Sequence, residues 1–586
     1  MKTLARILGY FEKSDKVRFF GVVIALVSTS IVETLTLMIL IPYIGIIGKD
    51  PSTISYVNKI LNGIDLTNTQ LFVGFTSFFL LMIVMKSLLQ LNSNYQMTKF
   101  SYHYYQTKNG QLFKKYLNQN YLSFVDQDTG TLVKNCTQTS YYATQAILQQ
   151  LQVLSSFFIT LFLFAAILFQ DFGGSLCIVL LFGVTSLIIY QFNKKPVKRL
   201  GKDLIDATKN AYQCVLESLH LFKEVKIYKK SSYFIQKFDD YNASISRNYR
   251  YKEFLSMTPS VLIELMAVVL LILVVCYVYF NDAITSQFVA GLIFYAAVGR
   301  RILPAINHMT QQAIHLQHSL ESLDVFEQEI EKTHEERQPL KTKTFREFIT
   351  FEQISFSYRK GSQILDRVSF EIPKNASVAF VGPSGGGKST IIDILIGLIQ
   401  PSSGQILVDG EVELNMTPFQ KQIGYVPQSI ALINHSIARN VALGEEVIDH
   451  KRLNDAIAAS HLEEFIASLP EGIDTHVGDR GIKVSGGQMQ RIGIARALYR
   501  QPELIIFDEA TSSLDNLSEL VIAQSIKEMM GKKTIVAVAH RLSTIKNFDR
   551  IYVLDRGQVI AEGTHNELVQ KCSLYQTLNR FYEKVS

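Results

Sequence analysis

The stretch SVAFVGPSGGGKSTIIDILIGLI, which runs from Ser377 to Ile399, decides the fold of the second half of this chain. Its apolar start predicts a buried strand, and the apolar run after the glycines predicts a helix. Gly382 and Gly387 frame a loop of the form G-x-x-x-x-G-K-[ST], which Lys388 and Ser389 close. The glycines let backbone N–H groups surround a phosphate, and the start of the helix adds a favourable dipole. This half is therefore predicted to be an α/β domain that binds a nucleotide.

Two further segments supply groups for the hydrolysis of a nucleoside triphosphate. In ELIIFDEATSSLD an apolar strand delivers Asp508 to the Mg²⁺ side of the site, and Glu509 follows as a carboxylate that can polarise an attacking water. Lys388 can reach the β- and γ-phosphates, and the Ser389 hydroxyl can ligate Mg²⁺. His540, after the strand TIVAVA, is placed to touch the γ-phosphate or that water.

A second glycine loop, VSGGQMQR, precedes the predicted helix IGIARALYR. Ser485, Gly486 and Gly487 can offer a hydroxyl and backbone donors to an anion at the start of that helix. The phosphate loop and this second glycine loop of a single domain are not expected to contact the same phosphate. The second loop is therefore predicted to serve ATP that is held by a partner chain.

Taken in order along the chain, these segments together with IGYVPQ and AHRLST resemble the nucleotide-binding domain of ABC transporters. The resemblance covers Phe351 to Phe581. The resemblance implies that Tyr358 stacks on adenine, that Gln428 contacts Mg²⁺ and relays to the membrane half, and that Asp515 crosses a dimer interface. It implies an ATP site lined also by Gly382, Pro383, Ser384, Gly385, Gly386, Gly387, Lys388, Ser389, Thr390, Ser485, Gly486, Gly487 and Gln488. Mg²⁺ would be held by Ser389, Gln428 and Asp508.

Two positions depart from the family pattern. Val484 stands where leucine is usual, and Asp479 in VGDRG stands where glutamate is usual. The VGDRG stretch is expected to touch the cytosolic helices of the partner. Neither departure removes a group needed for hydrolysis, so two identical chains could form two competent sites.

The first half of the chain carries six segments long and apolar enough to cross about 30 Å of hydrocarbon. They are Phe19–Ile47, Leu71–Leu91, Leu151–Phe169, Ser175–Phe192, Ser260–Phe280 and Thr285–Ile306. Lysines and arginines concentrate before the first segment and in the connections after the second and fourth, which predicts cytosolic termini. A membrane surface explains the net charge of +6 better than nucleic acid does.

The two long connections are rich in helix-forming residues and are predicted to continue the spans into the cytosol, with bends near Phe124–Gly130 and Leu216–Lys223. A short amphipathic helix is predicted in the first external loop, where apolar residues recur at helical spacing from Ile54 to Ile64. A plain ordered loop is the alternative there.

Six spans before the ATPase match the exporter arrangement of the family. The predicted fold is an all-α six-helix transmembrane domain over residues 1–330, followed by an α/β P-loop nucleotide-binding domain over residues 349–584. Such a chain is a half-transporter, so the working unit is a dimer with itself or with a related half-transporter. ATP would clamp the two nucleotide-binding domains together, and hydrolysis would release them.

Five charged residues fall inside the predicted spans, where a charge is costly unless it is paired or faces a cavity: Glu33, Lys86, Glu264, Arg300 and Arg301. Counting residues along each span puts Glu33 toward the middle of the bilayer and the other four in an inner band with a positive surplus. A cavity of that charge suits a phosphate or pyrophosphate head group. The alternative is that the cations reach the inner surface, or that Glu264 pairs with one of them.

The segments IVETLTLMILIPYIGII and GRRILPAINH also resemble the lipid-linked oligosaccharide flippases of bacterial N-glycosylation. This resemblance implies that a polyprenyl-pyrophosphate glycan is turned outward across a bacterial inner membrane. A peptide or bacteriocin exporter, a lipid A or drug exporter, and a nucleotide-gated channel or regulator remain as alternatives.

Overall fold

The computed structural model describes residues 2–47, 67–170, 172–280, 286–332, 343–358, 363–413, 415–478, 481–509, 516–539 and 544–585. The chain divides into two compact units. One contains Met1–Gln119 and Ser123–Glu336, and the other contains Asn120–Leu122 and Arg337–Ser586. The predicted outer helix, residues 54–64, lies outside the described residues.

The described part of the first unit is helical throughout. Its helices are α1 (Lys2–Tyr10), α2 (Lys13–Ile47), α3 (Asn68–Asn118), α4 (Tyr121–Val125), α5 (Thr129–Lys134), α6 (Ser140–Gln170), α7 (Phe172–His220), α8 (Phe222–Ile227), α9 (Ser231–Phe280) and α10 (Ser286–Glu331). A π-helical turn, Asn135–Thr139, joins α5 to α6. The described residues of the six predicted spans lie in α2, α3, α6, α7, α9 and α10.

Several of these helices run far beyond their apolar segments, as predicted. Helix α3 continues from Leu91 to Asn118, which adds about 40 Å at 1.5 Å per residue. The chain turns back through α4 and α5 in the first long connection and through α8 in the second. The predicted bends are confirmed.

Within the described residues, three helical segments meet a strict standard of length and hydropathy for a membrane span: Lys13–Leu40, Thr69–Asn118 and Thr129–Leu168. They overlap the first three predicted spans over most of their length. The predicted spans in α7, α9 and α10 include many residues whose side chains fall outside the described set, so their assignment rests on the sequence.

The second unit contains two sheets. Its strands are β1 (Phe348–Ser357), β2 (Gln363–Pro373), β3 (Ser377–Val381), β4 (Ser403–Val408), β5 (Glu411–Glu413), β6 (Ile423–Val426), β7 (Leu504–Asp508), β8 (Thr534–Val538), β9 (Arg550–Asp555) and β10 (Gln558–Gly563). One sheet has the order β2-β1-β4-β5 with antiparallel pairing, and the other has the order β10-β9-β3-β8-β7-β6. Strands β9, β3, β8, β7 and β6 are parallel.

The helices of the second unit follow the strands in the order expected for an α/β domain. They are α11 (Lys388–Leu395), α12 (Ile437–Val441), α13 (His450–Ala459), α14 (Glu463–Ala467), α15 (Gly486–Tyr499), α16 (Asn516–Met529), α17 (His565–Lys571) and α18 (Ser573–Val585). The predicted helix after the phosphate loop is shorter than its apolar run, because Gly397 adopts a φ of +72° directly after it.

The parallel sheet brings the predicted catalytic segments to one edge. Strands β3 and β8 are buried along their whole length, as expected for strands covered on both faces. Because β8 pairs in parallel with both β3 and β7, the chain leaves all three strands at the same carboxyl edge. Ligands of open parallel sheets bind at this edge.

Candidate functional site

The glycines of the phosphate loop are required by close approaches and by backbone conformation. A Cβ atom on Gly382, where φ is +154°, would lie 2.1 Å from the carbonyl oxygen of Leu554. Gly387 begins α11 with a φ of +95°, and a Cβ there would lie 2.6 Å from the Leu365 side chain. Gly385 has a φ of +79° with open space around it. These positions leave the loop backbone as the lining of a cradle.

Lys388 points its ammonium group into this loop. Its Nζ donates to the carbonyl oxygens of Gly382 and Pro383, each at 3.0 Å. Burial lowers the pKa of Lys388, and the nearby charges of Glu509 and Asp508 act in the opposite direction. A buried ammonium held only by carbonyl oxygens fits a site for a phosphate, which can offer it charged acceptors. The exposed Ser389 follows in the first turn of α11.

Tyr358 stands beside the same helix start. Its ring packs edge-on against Phe356, with the ring centroids 4.9 Å apart, and its hydroxyl lies 3.4 Å from Oγ1 of Thr390. About half of the Tyr358 side chain is exposed. An aromatic face held in this way is free to stack on a base, which fits the predicted role.

Asp508 ends β7 with its carboxylate at the carboxyl edge of the sheet. The hydroxyl of Tyr425 donates to its Oδ2 atom at 3.2 Å. Burial and the charge of Asp508 raise the pKa of Asp393 to about 6. The sequence did not single out Tyr425 or Asp393. Strand pairing alone brings Tyr425, on β6, beside β7.

Glu509 has an unusual backbone conformation for a residue with a side chain. Its φ is +50°, and its N–H donates to the carbonyl of Val538 at 3.1 Å. A non-glycine residue in the left-handed region at a site edge is a common sign of functional constraint. The Gln428 amide donates to Oε2 of Glu509. The sequence predicted Gln428 as a Mg²⁺ ligand, and its contact with Glu509 is an addition from the structure.

Ser485 begins α15 through a capping box. Its hydroxyl oxygen accepts from the N–H of Gln488 at 3.3 Å, and the Gln488 side chain accepts from the N–H of Ser485 at 2.8 Å. Ser485 and Gly486 are exposed, and Gly487 is buried. Because the Ser485 oxygen acts as an acceptor here, its O–H proton is left to donate to an incoming anion. Gln488 is thus engaged in forming the helix start.

Replacing Ser485 with alanine should lower ATP hydrolysis more than tenfold. The variant loses the hydroxyl donor as well as a helix cap that contributes about 1 kcal/mol. Thr564→Ala is the matched control, because Thr564 begins α17 with the same type of capping box. Phosphate release should fall only for Ser485→Ala, while circular dichroism should record a similar loss of thermal stability in both. Equal hydrolysis by the two variants would contradict a role for Ser485 at the nucleotide.

Three residues of the predicted site lie outside the described residues. They are His540, Asp515 and Asp479, the last being the position where the family pattern has glutamate. The predictions for them stand as made from the sequence.

The intramembrane charges form an arrangement that differs from the predicted one. Glu33 on α2 is 2% exposed and forms ion pairs with Arg301 on α10 and with Lys86 on α3, the latter with Nζ 3.6 Å from Oε1. The alternative in which Glu264 pairs with one of the cations is wrong, because Glu264 is exposed and forms no ion pair with the described residues.

The predicted difference in depth between Glu33 and Lys86 is also wrong. The rings of Phe19 on α2 and Phe100 on α3 meet with centroids 5.9 Å apart, and Glu33 and Lys86 each lie fourteen residues farther along these antiparallel helices. Both are therefore about 21 Å above that level. The sequence placed Lys86 nearer the inner surface because it counted residues from an entry of this span near Leu71 on the outer side. Glu33, Lys86 and Arg301 share one level.

Arg300 precedes Arg301 on α10 and is exposed. Among the described residues it has no ion-pair partner. Pro304 lies four positions later in the same helix and cannot donate to the carbonyl oxygen of Arg300, since proline has no backbone N–H. The Arg300 carbonyl therefore lacks the usual helical donor four residues later.

Two family descriptions match this chain. "ABC transporter transmembrane region" matches residues 19–298, and "ABC transporter" matches residues 365–512. The ATP-dependent lipid A-core flippase of Burkholderia pseudomallei (strain 1710b) is 31% identical over 487 residues, which cover 80% of this chain and 80% of that protein. The protein of the same name from Cupriavidus pinatubonensis is 31% identical over 448 residues, 74% of this chain and 76% of that protein.

A solved structure gives an independent likeness in three dimensions. The structure of a bacterial Atm1-family ABC exporter with ATP bound superposes with a TM-score of 0.79 at 22% identity, over 97% of this chain and 99% of that one. The predicted fold class, helical membrane domain followed by α/β nucleotide-binding domain, is confirmed. With both regions present on one chain, the protein belongs to the ABC transporter family, has the fold of an ABC exporter, and couples ATP hydrolysis to translocation across a membrane.

Proposed function

We propose that this transporter moves a phosphate-bearing glycolipid from the cytoplasmic to the outer leaflet of a bacterial inner membrane. The cargo that we favour is a polyprenyl-pyrophosphate-linked oligosaccharide. The observation that carries the proposal is the pairing of Lys86 and Arg301 with a single carboxylate, Glu33, which together with the adjacent Arg300 leaves two positive charges in surplus. Such a surplus in an apolar region attracts an anionic head group, and arginine can hold phosphate oxygens through two donors.

A lipid A-core glycolipid is the second candidate. The relatives at 31% identity carry that name, and such a cargo is also amphipathic and anionic. Both candidates call for the same charge pattern in the membrane. They differ in the lipid anchor, so the choice between them depends on direct comparison of the two cargoes.

The transport cycle that we propose uses two copies of this chain. The exposed Ser485 loop of each copy would face the phosphate loop of the other, so that ATP lies between them. Both termini and the ATPase domains would be cytosolic. Binding of ATP would draw the nucleotide-binding domains together, and hydrolysis would allow the membrane cavity to change its side of access.

Each group at the ATP site has a proposed task. Lys388 would exchange its bonds to loop carbonyls for bonds to phosphate oxygens. Asp508 and Ser389 would hold Mg²⁺, which supplies charge neutralisation between the phosphates. Glu509 would polarise the attacking water, and the amide of Gln428 would keep its carboxylate oriented. The left-handed backbone at Glu509 supports this task because such conformations concentrate at functional sites.

Substitution of Arg300 by glutamine tests the proposed cargo. In proteoliposomes, translocation of a fluorescent short-chain polyprenyl-pyrophosphate glycolipid should fall about tenfold or more, because one charged donor to the head group is lost. Arg300 suits this test better than Arg301, whose loss would also remove one of the two cations that pair with Glu33.

The control is Arg247→Gln, which removes an exposed arginine on α9 before the predicted span at Ser260. It should transport as the unaltered protein does. Equal transport by Arg300→Gln, or equal transport of a neutral polyprenyl glycoside by the unaltered protein, would refute the phosphate-based proposal. Preferential transport of a lipid A-core glycolipid in the same assay would establish the second candidate.

A further inference from the structure

Glu33 holds two cations from two other helices with one carboxylate. The Glu33 side chain is 3% exposed, while the Lys86 and Arg301 side chains keep 24% and 34% of their surface accessible. Both cations approach the same oxygen, Oε1. Neither buried oxygen of Glu33 has a hydrogen-bond partner among the described residues, and neither has Nε of Arg301, so the two cations are held by charge. The carboxylate is thus buried, shared and incompletely bonded.

The charges of the triad formed by Glu33, Lys86 and Arg301 do not balance. One carboxylate against two cations leaves one positive charge unmatched, and Arg300 beside it adds another. In an apolar region an unmatched charge is costly, and removing one partner of a buried pair costs more than the pair contributes. A ligand with two or more negative charges would satisfy the cations better than Glu33 does. A ligand with a single negative charge would only take the place of the Glu33 carboxylate and would leave the same surplus of positive charge.

The triad joins α10 to α2 and α3, in addition to the apolar clusters that these helices share. Helix α10 packs mainly on α6, α7 and α9, whereas α2 packs mainly on α3 and α6. The Arg301–Glu33 pair spans from the first group to the second. Release of Arg301 from Glu33 would therefore loosen the tie between the first and last spans at the level where cargo is expected.

We propose that Glu33 is an internal counter-anion, which the phosphate groups of the cargo must displace from Arg301 and Lys86, and that it thereby sets the minimum head-group charge for transport. This inference rests on the proposed function. Glu33 acts through the two cations and is a positioning residue that determines specificity. Its displacement links cargo binding to the loss of one of the contacts between α10 and α2.

The test uses the full-length protein in nanodiscs and radiolabelled farnesyl pyrophosphate as the probe, with farnesyl monophosphate and farnesol for comparison. Glu33→Gln keeps the shape of the side chain and removes its charge. The variant should bind farnesyl pyrophosphate about tenfold more tightly, because the probe no longer competes with a charged group. It should also lose most of the preference for pyrophosphate over monophosphate. Glu33→Asp retains the charge on a shorter arm and should give an intermediate affinity.

The possible outcomes separate this inference from the proposed function. Tighter binding with a reduced preference for pyrophosphate supports the counter-anion role. If Glu33→Gln binds farnesyl pyrophosphate, farnesyl monophosphate and farnesol with unchanged affinities and only its melting temperature falls, Glu33 serves stability alone. That result would overturn the inference. If Glu33→Gln does not fold, an unchanged affinity in Glu33→Asp overturns it equally. No binding of farnesyl pyrophosphate by the unaltered protein would instead refute the phosphate-bearing cargo.

Discussion

Glu509→Gln should reduce ATP hydrolysis by about 100-fold or more, which is the range expected when a general base is lost. An amide is too weak a base to polarise water, yet it has nearly the same shape as the carboxylate. It also retains an oxygen that can accept the hydrogen bond from Gln428. Phosphate release by the reconstituted protein would measure the effect.

Glu503→Gln is the matched control for this experiment. Glu503 immediately precedes β7, the strand that ends at Asp508, and its carboxylate pairs with Lys374 at 3.3 Å. The same chemical change at the opposite end of the strand should leave hydrolysis at the level of the unaltered protein. Unchanged hydrolysis in Glu509→Gln would show that another group activates the water.

Gly382→Ala should abolish nucleotide binding and lower the melting temperature of the nucleotide-binding unit. The added Cβ would lie 2.1 Å from the Leu554 carbonyl oxygen, which belongs to the backbone of β9 and cannot turn aside. The φ of +154° adds conformational strain. Overpacking and strain together cost about 3 kcal/mol, which corresponds to a fall of about 10 °C for a unit of this size.

Gly385→Ala separates steric overlap from conformational strain. Gly385 has a φ of +79°, but a Cβ added there would meet nothing within 4 Å, so the substitution should cost only about 1 kcal/mol. Circular dichroism should follow both transitions, since the chain contains no tryptophan for fluorescence. Equal melting temperatures and equal ATP affinities for the two variants would show that the loop can move away from β9.

Local sequence patterns were sufficient for the nucleotide-binding half. The apolar strands before Gly382 and Asp508 are short, continuous and followed at once by polar motif residues, so each strand end also marks a site residue. A parallel sheet then collects such ends at one edge whatever the details of packing. For this reason the predicted positions of Lys388, Asp508 and Glu509 agree with the structure.

The same sequence patterns did not predict the contacts between side chains within that site. The pairing of Gln428 with Glu509 and of Tyr425 with Asp508 depends on β6 lying next to β7, although nearly eighty residues separate these strands in the chain. Likewise, the need for glycine at Gly382 comes from the approach of β9. A motif describes residues along the chain, whereas these contacts depend on strand order.

The membrane half shows the same division more sharply. Hydropathy alone located the spans, because about 30 Å of hydrocarbon demands a long apolar run whatever lies beside it. The sequence also identified Glu33, Lys86 and Arg301 as the charges that required an explanation. Only the tertiary structure decided that these three meet at one level, because depth and rotation depend on how α2, α3 and α10 pack together. A buried carboxylate pairs with whichever cations the packing of the helices brings within reach. The sequence of any one span does not specify those partners.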